Sequence, residues 1–296
     1  MYHDALILTI SLFLPMITAQ IDPTFGFGVE PPNSSYLDPF SHHPNATGVT
    51  YISAVNTSFS NPSSLQPASW IAQINVTEVP WNGTSSVTNS VISLYTPDNI
   101  FASNSSWDTC IVQVQFVAQN VTEKGQDDEG GCEQMFGKDC VGNFTAMIAS
   151  KSADAAKKNV PGICGDIAIS DFPVQCAGSL HGALKFQNIY PNETRSLSQK
   201  WDYGTSEPHE TSNTAYYEEA VKRIWPMVLV QSPKNSFNDG AGFTSAKMAC
   251  LRAKNFTEGS KKVGATPNSA GRIAGMSFGG FFGWVVGVVM VVACVV

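Results

Sequence analysis

The sequence predicts an α+β fold: an antiparallel, β-rich, sandwich-like N-terminal part on which two helices and a final strand pack, the whole stapled by disulfides. Three observations predict it. Apolar and polar residues alternate at a period of two through residues 49–118, apolar residues recur at helical spacing after residue 139, and six of the seven cysteines fall between Cys110 and Cys250.

At the start, an apolar run from Ala5 to Pro15 reaches Thr18-Ala19 before Gln20. That is the layout of a secretory signal peptide over residues 1–19, cleaved after Ala19, although Asp4 stands where a positive charge is usual. The run is shorter than the about 20 apolar residues a bilayer span needs. Residues 20–48 are rich in Pro, Asn, Ser and Gly, as in Pro31-Pro32-Asn33, and read as an extended arm. His42 and His43 have no carboxylate or cysteine nearby and read as loop histidines.

An ectodomain follows over residues 49–256. Trp70, Ala72, Ile74 and Val76 alternate with Ser69, Gln73 and Asn75, which places the Asn75 side chain outward. Cys110, Val112, Val114 and Phe116 repeat the pattern against Gln113 and Gln115. Strands with one buried face imply an antiparallel sheet. The polar stretch 119–131, with Asp127-Asp128-Glu129, lacks the alternating oxygen ligands of a calcium loop and reads as a solvated connection.

Val141, Phe144, Ile148 and Ala155 predict a first helix from about Cys140 to Lys157, with Lys151, Lys157 and Lys158 available to its C-terminal dipole. Tyr217, Ala220, Val221, Ile224 and Trp225 predict a second, supported by the i,i+4 pairs Glu218/Lys222 and Glu219/Arg223 and ended or kinked by Pro226. Its aromatic cluster of Tyr216, Tyr217 and Trp225 reads as core before it reads as a sugar platform. Ala246, Met248 and Cys250 alternate inward in a final strand within Phe243 to Arg252.

Residues 257–268 read as a stalk, and residues 269–296 as a glycosylphosphatidylinositol (GPI) attachment signal that is removed. The small triplet Asn268-Ser269-Ala270, a spacer and the apolar run Phe278 to Val296 are its three parts, with Asn268 as the attachment residue and Ser269 or Gly264 as alternatives. The rival is a retained span, for which Gly279, Gly283 and Gly287 supply close-packing spacing; against it, no Lys or Arg follows the run.

The six ectodomain cysteines are Cys110, Cys132, Cys140, Cys164, Cys176 and Cys250; Cys294 lies in the tail. An oxidising compartment makes three disulfides of them, and the spacings fit no common zinc site. Cys110 with Cys250, and Cys132 with Cys140, are the expected pairs. Ten N-x-S/T sequons, at Asn33, Asn45, Asn56, Asn75, Asn82, Asn104, Asn120, Asn143, Asn192 and Asn255, agree with secretion and require surface positions. Processing deletes one acid, Asp4, and one base, Arg272, so the net charge stays at −7, and an acidic chain does not suit nucleic acid.

Candidate chemistry is sparse. Gly275-Met276-Ser277-Phe278-Gly279 matches a nucleophile elbow, yet it lies in the removed tail, beyond every histidine. The histidines of the folded region are His181 and His209. Asp166, Asp171, Glu218 and Glu219 are formal glycosidase carboxylates, but nothing in their spacing sets two across a cleft. No catalytic residue, cofactor or metal is assigned.

In its signal, sequon-rich β region, six cysteines, Ile224-Trp225-Pro226, Cys250 and tail, the chain resembles in layout the GPI-anchored, cysteine-containing secreted glycoproteins of filamentous fungi. The resemblance implies a wall or membrane context and carries over no functional residue. The expected function is a non-catalytic surface glycoprotein held to the bilayer by a GPI anchor, structural or recognising wall polysaccharide. The alternative is a wall-remodelling glycosidase or transglycosidase. A cleft lined by two convergent carboxylates favours the enzyme, and a flat or aromatic-lined sheet surface favours binding.

Overall fold

The computed structural model describes residues 43–57, 67–95, 107–157, 163–164, 172–189, 198–233, 244–258 and 260. The signal segment, most of the arm, the stalk beyond residue 260, Asn268, the tail, and Asn33, Asn104, Asn192, Asp166 and Asp171 lie outside them. Among the described residues the fold is α+β, with two wholly antiparallel sheets, four helices and three disulfides.

The first sheet is built from β1 (Ala46–Val55), β2 (Pro67–Asn82), β3 (Ser85–Tyr95), β6 (Ser198–Thr205), β7 (His209–Glu210) and β10 (Asn255–Phe256), in the order β10-β1-β2-β3-β6 with β7 also on β3. Gly83, with φ at 49°, turns the β2–β3 hairpin, a left-handed conformation that glycine adopts freely. The first strand begins inside the stretch read as an arm, because Asn45 already donates its N–H to Val76 at 2.8 Å. The second sheet holds β5 (Leu180–Ile189), β4 (Trp107–Val117), β8 (Trp225–Pro233) and β9 (Ser245–Leu251), in that order.

Alternation decides what each face meets. Ile52, Trp70, Ala72, Ile74 and Ile92 share the inner face of the first sheet and are buried, as are Ile111, Met227 and Leu229 on the facing side of the second. The other face of the second sheet, through Cys110, Val112, Val114, Val228 and Val230, packs on a helical layer with Phe144 and Ile148. That layer consists of α1 (Gln119–Lys124), α2 (Glu133–Phe136) and α3 (Lys138–Lys157). The expectation of one buried face per strand therefore fails for β4. Gln113, read as outward, is fully buried, because the strand lies between a sheet and a helix. Residues 119–131 are likewise no solvated loop. Buried Asp128 accepts the N–H groups of Gly130 at 2.7 Å, Cys132 at 3.0 Å and Gln134 at 3.2 Å, fixing the entry to α2.

The helix α3 follows the sequence reading closely. The second expected helix, α4 (Ala215–Lys222), is shorter than its periodicity suggested. The Glu218–Lys222 pair is present at 3.9 Å, but the chain turns extended at Arg223 and Trp225 opens β8. Pro226 sits at the second position of that strand opposite Cys250, where it ends nothing. Arg223 lies over the Trp225 ring at 4.2 Å and donates to the Gln115 carbonyl at 2.8 Å.

The disulfides are Cys110–Cys164, Cys132–Cys250 and Cys140–Cys176, with Cα separations of 6.1, 5.3 and 4.8 Å. Both expected pairs are thus corrected. Cys110 and Cys250 point to the same side of the second sheet, but β8 runs between them and their partners on it, Val230 and Pro226, are four residues apart. That exceeds the about 7 Å Cα limit for a bridge. Cys132 and Cys140 are near in sequence, yet Asp128 holds Cys132 at φ 67° toward β9, while Cys140 faces Cys176.

The chain passes from the second sheet to the first just after β9. Gly48 is needed at this crossing, since a Cβ on it would overlap the Arg252 carbonyl oxygen. The Lys254 N–H then donates to Thr47 at 2.7 Å, and that of Thr257 to Asn45 at 3.0 Å.

Candidate functional site

The pairing registers bring one feature together that no sequence spacing announces. Tyr51, Ile71 and Tyr95 lie side by side on β1, β2 and β3, on the outer face of the first sheet. Tyr51 is 68 % exposed and Tyr95 36 %, so the row is open to solvent. Ser53 and Ser69, an exposed pair, form the row above it, and Val49, Gln73 and Ser93 the row below. The Tyr95 hydroxyl donates to Gln73 Oε1 at 3.1 Å, and Gln73 Nε2 donates to Asn75 Oδ1 at 3.1 Å, which tethers the Tyr95 ring to its neighbours.

On the β1 side of this face, Val49, Tyr51 and Ser53 also line a groove of about 500 Å³ between β1 and β9, together with Glu129, Gly130, Lys247 and Lys254. Its one carboxylate, Glu129, is 92 % exposed and 3.8 Å from Lys254. A glycosidase cleft needs two carboxylates flanking the bond, and this groove offers one, already paired.

His209 completes a second constellation. Its ring stacks on Tyr216 at 4.4 Å, with Ser206 Oγ 3.4 Å from Nδ1 and Glu78 Oε1 4.0 Å from Nε2. Serine, histidine and glutamate are the residues of a hydrolytic triad, but the hydrogen bonding opposes that use. Glu207's carbonyl lies 3.0 Å from Nδ1 and can only accept, so Nδ1 carries the hydrogen and is no base toward Ser206. Ser206 Oγ accepts the Thr88 N–H at 2.8 Å, donates to Glu207 at 3.0 Å, and is buried. The group is a corner joining β3, β6 and β7. Near it, the Tyr217 phenol is pushed up to about 12, first by burial and then by the charge of Glu78. Tyr217 and Trp225 are buried core, as their spacing suggested, whereas Tyr216 is half-buried against His209.

Of the sequons, Asn120, Asn143 and Asn255 are exposed. Asn45 is half-buried and engaged at both amide atoms, its Oδ1 accepting the Glu78 N–H at 2.8 Å and its Nδ2 donating to Ser260 at 3.3 Å. Asn56 is half-buried, and Asn82 closes β2. Asn75 contradicts its outward reading: it is 8 % exposed in the central strand, at a level where Thr77, Asn89 and Val91 on the same face are also buried.

Among the described residues no cluster of three or more His, Cys, Asp or Glu is placed to hold a metal ion, and no helix is long and apolar enough to cross a membrane. Tyr51 and Tyr95 were missed in the sequence. The available signal was an aromatic residue on the polar side of an alternating strand, as Tyr51 stands between Val49 and Ser53 and opposite Thr50 and Ile52. No family model, curated protein or solved structure matches the chain.

Proposed function

We propose that this chain is a non-catalytic recognition glycoprotein of the cell surface that holds polysaccharide on the outer face of its first sheet. In this reading residues 1–19 direct secretion, and residues 269–296 are exchanged at Asn268 for a GPI anchor in the outer leaflet. The observation that carries it is the exposed Tyr51–Ile71–Tyr95 row with hydroxyl and amide groups on both sides. Exposed aromatics in register, each with an apolar ring and a polar tip, suit a ligand that is itself apolar on its faces and polar at its rim. The three disulfides agree with an oxidising compartment.

Depletion of the secreted protein from solution by insoluble wall polysaccharides tests the reading. Wild type should be retained, and a Tyr51→Ala/Tyr95→Ala double variant should stay in solution. Failure of every polysaccharide to deplete the protein, or release of soluble sugars by it, would sink the proposal. Release of the protein from intact cells by phosphatidylinositol-specific phospholipase C tests the anchor. Retention, with an acylated anchor excluded by mass spectrometry of the C-terminal peptide, would favour the retained span.

A further inference from the structure

The geometry points to a narrower ligand class, resting on the recognition reading above: a neutral, extended β-1,4-linked glycan lying across the strands, with alternate sugar rings on Tyr51 and Tyr95. Neighbouring strands stand about 4.8 Å apart, so two residues in register on β1 and β3 are separated by about 10 Å. A glycan joined through equatorial 1,4 bonds is a flat ribbon that returns the same ring orientation at every second sugar, over about that same length. Its first and third rings then meet Tyr51 and Tyr95, and the second passes over Ile71. A β-1,3 or α-1,4 chain coils, so its successive rings cannot share one plane.

The flanking rows match the ribbon's edges. A pyranose ring with equatorial substituents is apolar on both faces and carries its hydroxyls around the rim. Here Ser53 and Ser69 border the row on one side, and Gln73 and Ser93, with Val49 next to Tyr51, on the other. None of these residues is charged; of the two lysines that line the groove with Tyr51 and Ser53, Lys254 lies 3.8 Å from Glu129, so the row itself offers an anionic glycan no ion pair. The tether from the Tyr95 hydroxyl to Gln73 leaves less of that ring to be ordered on binding.

Calorimetry on the whole secreted protein with cellohexaose, laminarihexaose, maltohexaose and a galacturonate oligomer tests the assignment. Cellohexaose should bind best, and Tyr51→Ala and Tyr95→Ala should each weaken it about tenfold or more. Lys138→Ala, on the exposed start of α3 in the helical layer, should leave it unchanged, and circular dichroism should show all variants folded. A preference for a coiled or acidic glycan, or cellohexaose binding indifferent to both tyrosines, overturns the ribbon while polysaccharide recognition stands. No binding of any of the four overturns the ribbon, and recognition falls with it only if the insoluble polysaccharides also fail to deplete the protein.

Discussion

The Gln231 side chain closes both backbone groups of Val55, its Oε1 accepting the Val55 N–H at 2.7 Å and its Nε2 donating to the Val55 carbonyl at 2.9 Å. Gln231 belongs to the second sheet and is 1 % exposed, while Val55 ends β1 of the first. One amide thus joins the sheets and satisfies a strand edge. Gln231→Leu keeps the volume and leaves the two groups unpaired, so urea denaturation should show a loss of about 2–4 kcal/mol. A loss below about 0.5 kcal/mol, the level of an ordinary surface change, would mean that water serves Val55 instead.

The disulfides should rank by the chain they enclose. Sequence separations are 118 for Cys132–Cys250, 54 for Cys110–Cys164 and 36 for Cys140–Cys176. Chain entropy then makes the first the most stabilising, with about 1 kcal/mol between the extremes. Paired Cys→Ala variants compared by thermal melting check the order. Non-reducing peptide mapping checks the connectivity, and a Cys110–Cys250 peptide would overturn the arrangement of β4, β8 and β9.

Tyr217 gives the protein an alkaline limit. Its folded pKa, about 12, lies above the unfolded value of 10.0. A folded pKa above the unfolded one means that this group's stability is full below pH 10 and is lost as pH rises through about 12. The loss is on the order of 2 kcal/mol. Tyr217→Phe should flatten the fall between those pH values. At neutral pH it should cost little, since the hydroxyl has no hydrogen-bond partner among the described residues. An unchanged slope in the variant would assign the limit to another group.

Glycan occupancy should follow exposure. Mass spectrometry of the secreted protein should find sugar on Asn120, Asn143 and Asn255 and a bare Asn75. A stoichiometric glycan on Asn75 would contradict its place in the central strand.

What the sequence made legible was local. Trp70, Ala72, Ile74 and Val76 declare one face of β2, and Val141, Phe144 and Ile148 declare α3, because each pattern repeats within one element. Where two elements abut, periodicity misleads. Tyr217, Ala220 and Val221 are helical and Trp225 belongs to a strand, yet together they mimic one helical stripe. The strands β5 and β6 carry no strong alternation and were not foreseen. Cysteine pairing, the burial of Gln113 and Asn75, and the Tyr51–Tyr95 row all depend on which strands become neighbours. That is a property of the whole chain.

The crossing from β9 to β10 also sets how the protein answers a pull. Tension on the chain beyond Ser260 would first peel Thr257 from Asn45 and the two-residue strand Asn255–Phe256 from β1, each held by few hydrogen bonds. The peel then reaches Cys250, which is covalently fixed to Cys132. Fully straightened, residues 251–260 reach at most about 33 Å from Cys250. Past that length, the two sheets stay behind a bond that thermal force does not open, so the end of the chain works as a short spring with a hard stop.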